Sequence, residues 1–114
     1  MRRQTVCATL LLLVGLAVCA RADSSDGIDF RTSPLYDGEH YCGSDYYARN
    51  VNPYPVYLTV RVVGTNVYDG LIASYTPLLL QPNEEGYLGR VTQADRSLEA
   101  EWTLQYQVSD ATNQ

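Results

Sequence analysis

The 114-residue sequence contains no lysine, one histidine, one methionine, one tryptophan and one phenylalanine. The first two of these scarcities close off classes of chemistry. Without lysine, and with only eight arginines against thirteen acids, the chain has no basic stripe to offset repulsion from a phosphate backbone. Nucleic acid is therefore excluded as a partner, and an anionic membrane surface is disfavoured for the same reason. A single histidine, His40, removes most metal and acid–base chemistry. Zinc centres draw three or four ligands mainly from His and Cys. Of three cysteines, Cys7 and Cys19 lie in the first apolar stretch, leaving Cys42 alone in the rest of the chain. No intrachain disulfide joins that remainder, so its fold must stand on its core. Cys42 reads as a buried small hydrophobe, or as the half of an intermolecular disulfide in an oxidising compartment.

The N-terminus has the three parts of a secretory signal. Arg2 and Arg3 are positive, Val6 to Cys19 is apolar, and Ala20-Arg21-Ala22 puts small residues where a signal peptidase reads. The apolar run is shorter than the roughly 20 residues a membrane-spanning helix needs. Residues 1–22 are expected to be a cleaved signal peptide. Leu16-Ala17-Val18-Cys19 also resembles a bacterial lipobox, which would make Cys19 a lipid anchor. Val18 occupies a place normally taken by Gly, Ala or Ser, so cleavage at Ala22 is preferred. Removing 22 residues leaves 92, one domain, with five arginines against thirteen acids and a net charge of −8. A periplasmic or secreted location follows.

What remains alternates. Val56, Leu58, Val60 and Val62 share one face of a strand over 56–63, with Tyr57, Thr59, Arg61 and Val63 on the other. A second strand covers 99–108, with Ala100, Trp102, Leu104, Tyr106 and Val108 opposed to Glu101, Thr103, Gln105 and Gln107. Shorter strands are expected at 44–50, 76–80 and 87–92. Asn52-Pro53-Tyr54-Pro55 reads as a turn, and Asp69-Gly70 reads as a hairpin turn breaking 67–73. Residues 23–43 are expected to be an acidic arm, or a weak first strand around Ile28 and Phe30, followed from Ser33 by a loop carrying Pro34, Gly38 and Gly43. Residues 44–108 then form the domain and 109–114 a polar tail. The expectation is all-β: a small antiparallel β-sandwich of immunoglobulin-like shape, in which Trp102 and the Val56–Val62 face are opposing walls of the core.

Catalytic constellations are thin. His40 and Cys42 are two apart, but a Cys–His nucleophile needs a cleft and a third orienting group. Asp37, His40 and Ser44 lack a nucleophile elbow around the serine. Asp23, Asp26 and Asp29 around Gly27 lack the bidentate acid that ends a calcium loop. Glu84 and Glu85 are neighbours on a loop, not a pair facing across a substrate. No enzyme, cofactor or metal site is expected.

Tyrosine is the residue in excess, ten in all. Its ring favours strands and half-buries easily, and it is also enriched at interfaces. Tyr36, Tyr41, Tyr47, Tyr54 and Tyr57 cluster near the first loop and turn and are expected to form a contact surface.

Tyr47-Ala48-Arg49-Asn50, Asn52-Pro53-Tyr54-Pro55-Val56, Leu80-Gln81-Pro82-Asn83-Glu84 and Trp102-Thr103-Leu104-Gln105-Tyr106 resemble the small β-sandwich that precedes the catalytic domain of lysostaphin-type peptidoglycan metallopeptidases. The resemblance spans residues 44–108. It implies an accessory sandwich of a bacterial envelope. The zinc ligands of such peptidases have no counterpart here, so no functional residue carries over. The sequence thus points to an exported, non-enzymatic module that meets a protein or cell-wall partner through its tyrosine-rich surface. The alternative is an inhibitor of a basic enzyme such as a lysozyme, acting through an acidic loop at Glu84 and Glu85.

Overall fold

A computed structural model describes residues 5–13 and 26–112 of the chain, the first of these stretches by its backbone path. The chain is all-β. Its strands are β1 (Thr5–Leu13), β2 (Ile28–Asp37), β3 (His40–Asn50), β4 (Val56–Thr65), β5 (Val67–Leu71), β6 (Leu78–Leu80), β7 (Glu85–Gln93) and β8 (Glu101–Asp110). A 3-10 turn, Ile72–Ser74, follows β5. The strands form two four-stranded antiparallel sheets, ordered β1-β8-β4-β6 and β2-β3-β7-β5.

The core lies between the sheets. Val56, Leu58, Val60, Leu80, Trp102, Leu104, Tyr106 and Val108 come from the first sheet. Ile28, Tyr46, Ala48, Leu71, Leu88 and Val91 come from the second. Burying one such aliphatic side chain contributes roughly 1.5–3 kcal/mol, so a core of this kind holds the sheets together without a disulfide. Phe30 of β2 meets Tyr106 of β8 edge-on across the interior, with ring centroids 4.7 Å apart.

The two alternating strands read from the sequence are β4 and β8. Their placement corrects one expectation. They are hydrogen-bonded neighbours, Val56 opposite Asp110 through Thr65 opposite Glu101, so Trp102 and the Val56–Val62 face line the same wall. The opposing wall comes from β2, β3, β7 and the end of β5. Trp102 reaches it by donating its indole N–H to the phenolic oxygen of Tyr46, at 2.9 Å.

Two further stretches differ from expectation. Residues 28–43, read as an arm or weak first strand and then a loop, contain the ten-residue β2 and the start of β3, joined by a tight hairpin at Gly38-Glu39. Pro34 fits because β2 is an edge strand, where a missing backbone donor leaves no ladder bond unmade. Gly38 supplies the left-handed φ of 64° that the hairpin needs. Asp69-Gly70 is no hairpin turn but the middle of β5. The Asp69 carboxylate accepts from the Leu71 amide at 2.8 Å and from the Ser74 hydroxyl, fastening the 3-10 turn after the strand.

Asn50 is fully buried and closes one end of the sandwich. Its side-chain amide donates to the carbonyls of Tyr54 at 2.9 Å and Leu80 at 3.0 Å, and its Oδ1 accepts from the Asn52 amide at 2.9 Å. One side chain thereby ties β3, the entry to β4 and the exit of β6.

The stretch Thr5–Leu13, within residues 1–22 read as a signal peptide, is an edge strand on β8. Arg2, Arg3, Cys19 and the cleavage residues 20–22 lie outside the described residues. So do Asp23 of the acidic arm and the last two residues of the polar tail. Among the described residues, no helix is long and apolar enough to cross a membrane, and no group of three or more His, Cys, Asp or Glu is arranged to hold a metal ion.

Candidate functional face

The outer face of the β2-β3-β7-β5 sheet carries a connected set of rings and charges. Its construction begins with an irregularity. Strict alternation would send Tyr87 and Arg90, three residues apart on β7, to opposite faces. The ladder between β3 and β7 instead shifts register, Tyr46 opposing Gly89 and Tyr47 opposing Tyr87, so Leu88 is an extra residue. Leu88 and Gly89 both turn inward and are buried, while Tyr87 and Arg90 both face out. Gly89 is required at this bulge. Its φ is 128°, and a Cβ there would sit 2.4 Å from the Gly70 carbonyl oxygen.

The bulge brings two donors to one carboxylate. Tyr87 donates its hydroxyl proton to Asp45 Oδ1 at 2.7 Å, and Arg90 donates to both oxygens of Asp45 at 3.0 and 3.1 Å. Those bonds hold the Asp45 carboxyl below its ordinary pKa, with Arg90 the larger cause and Tyr87 the second. The same bond to Asp45 pushes the Tyr87 phenol up.

Beside this cluster, the rings of Tyr47 and Tyr87 lie 5.3 Å apart. Arg31 of β2 places its guanidinium 4.0 Å from the centre of the Tyr47 ring. The same guanidinium donates two hydrogen bonds to Glu85, at 2.9 and 3.1 Å. That pairing lowers the Glu85 pKa and raises that of Arg31. Arg49 donates to the Asn83 carbonyl at 2.6 Å. At the far edge, β5 adds Tyr68, 65% exposed, and beyond it Ile72 and Tyr75 are exposed at 60% and 78%. The face is therefore apolar in its exposed rings and polar in a lattice of groups already held in place.

The five tyrosines expected to cluster are divided among several places. Tyr47 is on this face. Tyr36 and Tyr41 pack edge-on against each other, 5.6 Å apart, near the β2–β3 hairpin. Tyr36 is exposed, whereas Tyr41 packs on the core, hydrogen-bonds Ser44, and has its pKa raised by burial. Tyr54 packs against the core, and Tyr57 is half-buried on β4 opposite Leu79 of β6.

The acidic pair separates too. The Glu84 carboxylate accepts from the Gln81 amide at 2.8 Å and closes its own loop, while Glu85 belongs to Arg31. Cys42 is half-buried, at a second register shift where Tyr36 opposes Tyr41 and Leu35 opposes Gly43. Its thiol points to the Leu35 carbonyl at 3.4 Å. His40 shares a 2.7 Å hydrogen bond with Gln93.

Sequence reasoning missed Asp45, Tyr87, Arg90, Arg31 and Tyr68 as a group. The one signal available was the glycine in Tyr87-Leu88-Gly89-Arg90, which marks a bulge inside a strand pattern. No protein-family description, curated protein or solved structure matches this chain.

Proposed function

We propose that this protein is an exported, non-enzymatic binding module of the cell envelope, of immunoglobulin-like shape, that meets its partner through the outer face of the β2-β3-β7-β5 sheet. The observation that carries the reading is the set Arg31, Tyr47, Tyr87, Asp45 and Arg90, fixed by mutual hydrogen bonds and ring contacts and flanked by exposed Tyr68. Tyrosine and arginine are the residues that dominate binding energy at protein interfaces. Rings and forks held before contact lose little conformational entropy on binding. A protein of the envelope is the expected partner, and wall polymer is the second material to offer it. The export reading rests on the signal-like residues 1–22. The resemblance to the lysostaphin-associated sandwich supports the same compartment.

The test is co-sedimentation of the purified chain with isolated cell wall, alongside capture from an envelope extract. The chain with Tyr68→Ala and Tyr87→Ala serves as the comparison. Capture of one defined component that the double variant loses supports the reading. Equal capture by both forms contradicts it.

A further inference from the structure

We propose that the long side of β8 facing away from β4 is a strand-acceptor site. Removal of residues 1–22 opens it, and an extended, neutral or basic strand of another polypeptide fills it, running antiparallel. The inference rests on the export reading above.

β8 is one of the two interior strands of the first sheet, contributing Trp102, Leu104, Tyr106 and Val108 to the core. One side pairs with β4 along its whole length. The other side pairs with Thr5–Leu13 in unbroken register, from Thr5 opposite Ser109 to Leu13 opposite Glu101. Those nine residues lie within the stretch that export would remove. Their loss leaves a ten-residue strand with a free row of backbone donors and acceptors, a ready template for another strand.

The remaining sheet edges are blunted. β2 carries Pro34, β5 is five residues long with Gly70 inside it, and β6 is three residues long and follows Pro77. β8 has none of these devices. It holds no proline or glycine, and its register shows no shift against either neighbour. Its outward row between the terminal acids, Thr103, Gln105, Gln107 and Ser109, is uncharged.

The register specifies the occupant. Trp102, Leu104, Tyr106 and Val108 stand opposite positions 12, 10, 8 and 6, which are Leu, Leu, Ala and Val. A matching strand needs about nine extended residues, with apolar ones at those alternate positions and a small one opposite Tyr106. A second copy of this chain fits less well. Two processed copies would each carry −8, and their repulsion favours a neutral or basic strand instead.

The experiment uses the chain expressed with its own leader in a secreting host and purified after export. Intact mass gives its N-terminus. Retention of residues 1–22 would refute the export reading, and the opening of the edge with it, whatever the later arms show. For chain beginning near residue 23, hydrogen exchange is followed over 101–110 with and without a synthetic peptide of residues 5–13 carrying terminal arginines. The expected result is exchange at alternate β8 amides that slows on the order of tenfold when the peptide is added, with 56–65 unchanged. The same peptide with Thr9→Pro should give no protection. A processed chain that is unfolded alone but regains its β spectrum with the peptide also supports the site. Full protection of β8 in a processed monomer without peptide overturns the proposal, as does no response to saturating peptide. A dimer whose β8 is protected without peptide overturns it in favour of a second copy.

Discussion

Tyr87 and Arg90 sit three residues apart on one strand and yet bond to the same carboxylate, Asp45, because Leu88 is inserted between them as a bulge. The Asp45 cluster on this face depends on that one extra residue. Several outcomes follow from it and from the core beneath it.

Gly89→Ala should destabilise the fold by about 2–4 kcal/mol. The substitution forces an L side chain to a φ of 128° and drives its Cβ into the Gly70 carbonyl oxygen. Urea unfolding followed by tryptophan fluorescence measures it. Gly38→Ala, where nothing lies within 4 Å of a Cβ, should cost less, because only the φ penalty applies.

Acid should weaken the fold through Asp45 and Glu85. Both carboxyls are held below their ordinary values by Arg90 and Arg31 respectively. A folded pKa below the unfolded one means the unfolded chain binds protons first. Their contribution is therefore complete above the unfolded carboxylate range and fades as pH falls through that range and the lowered folded values. Urea midpoints measured from neutral to acid pH should fall in this window, and Asp45→Asn should flatten part of the slope. An unchanged slope in that variant would show that Asp45 contributes nothing to the acid response.

Tyr46→Phe leaves the buried Trp102 N–H without its acceptor and should cost about 1–3 kcal/mol. The ring volume is almost unchanged, so the loss reports the hydroxyl's hydrogen bonds, to Trp102 and to Ser44, and not a cavity. A shift in the Trp102 emission maximum without loss of β-sheet circular dichroism is the accompanying signature.

Asn50→Ala should cost about 2–4 kcal/mol, because the buried Leu80 carbonyl, the half-buried Tyr54 carbonyl and the Asn52 amide lose their partner at once. Asn50→Asp should also destabilise, since a carboxylate cannot donate to either carbonyl. Chemical denaturation of both variants provides the comparison.

The sequence makes the two long strands legible because each buries one face and wets the other. Val56–Val62 and Trp102–Val108 show that period directly. It does not reveal that they are neighbours, because alternation marks a face and says nothing of which strand lies alongside. β2 is hidden by Pro34 and Leu35-Tyr36, which look like loop until the strand is known to be an edge with a register shift. The functional face is hidden for a related reason. A bulge reverses the alternation between Tyr87 and Arg90, and the ion pair of Arg31 with Glu85 spans 54 residues of sequence. Of the tyrosines singled out by proximity in sequence, only Tyr47 joins the face, because the β2–β3 hairpin carries Tyr36 and Tyr41 toward its turn while Tyr57 belongs to the other sheet.

The most direct test of the binding face is capture of an envelope component by four forms of the exported chain: unaltered, Tyr68→Ala with Tyr87→Ala, Glu84→Gln, and Arg61→Ala on the opposite sheet. With melting temperatures matched, the tyrosine variant should lose the component while the other three retain it. Retention by the tyrosine variant, or loss by Arg61→Ala alone, would contradict the assignment of the β2-β3-β7-β5 face.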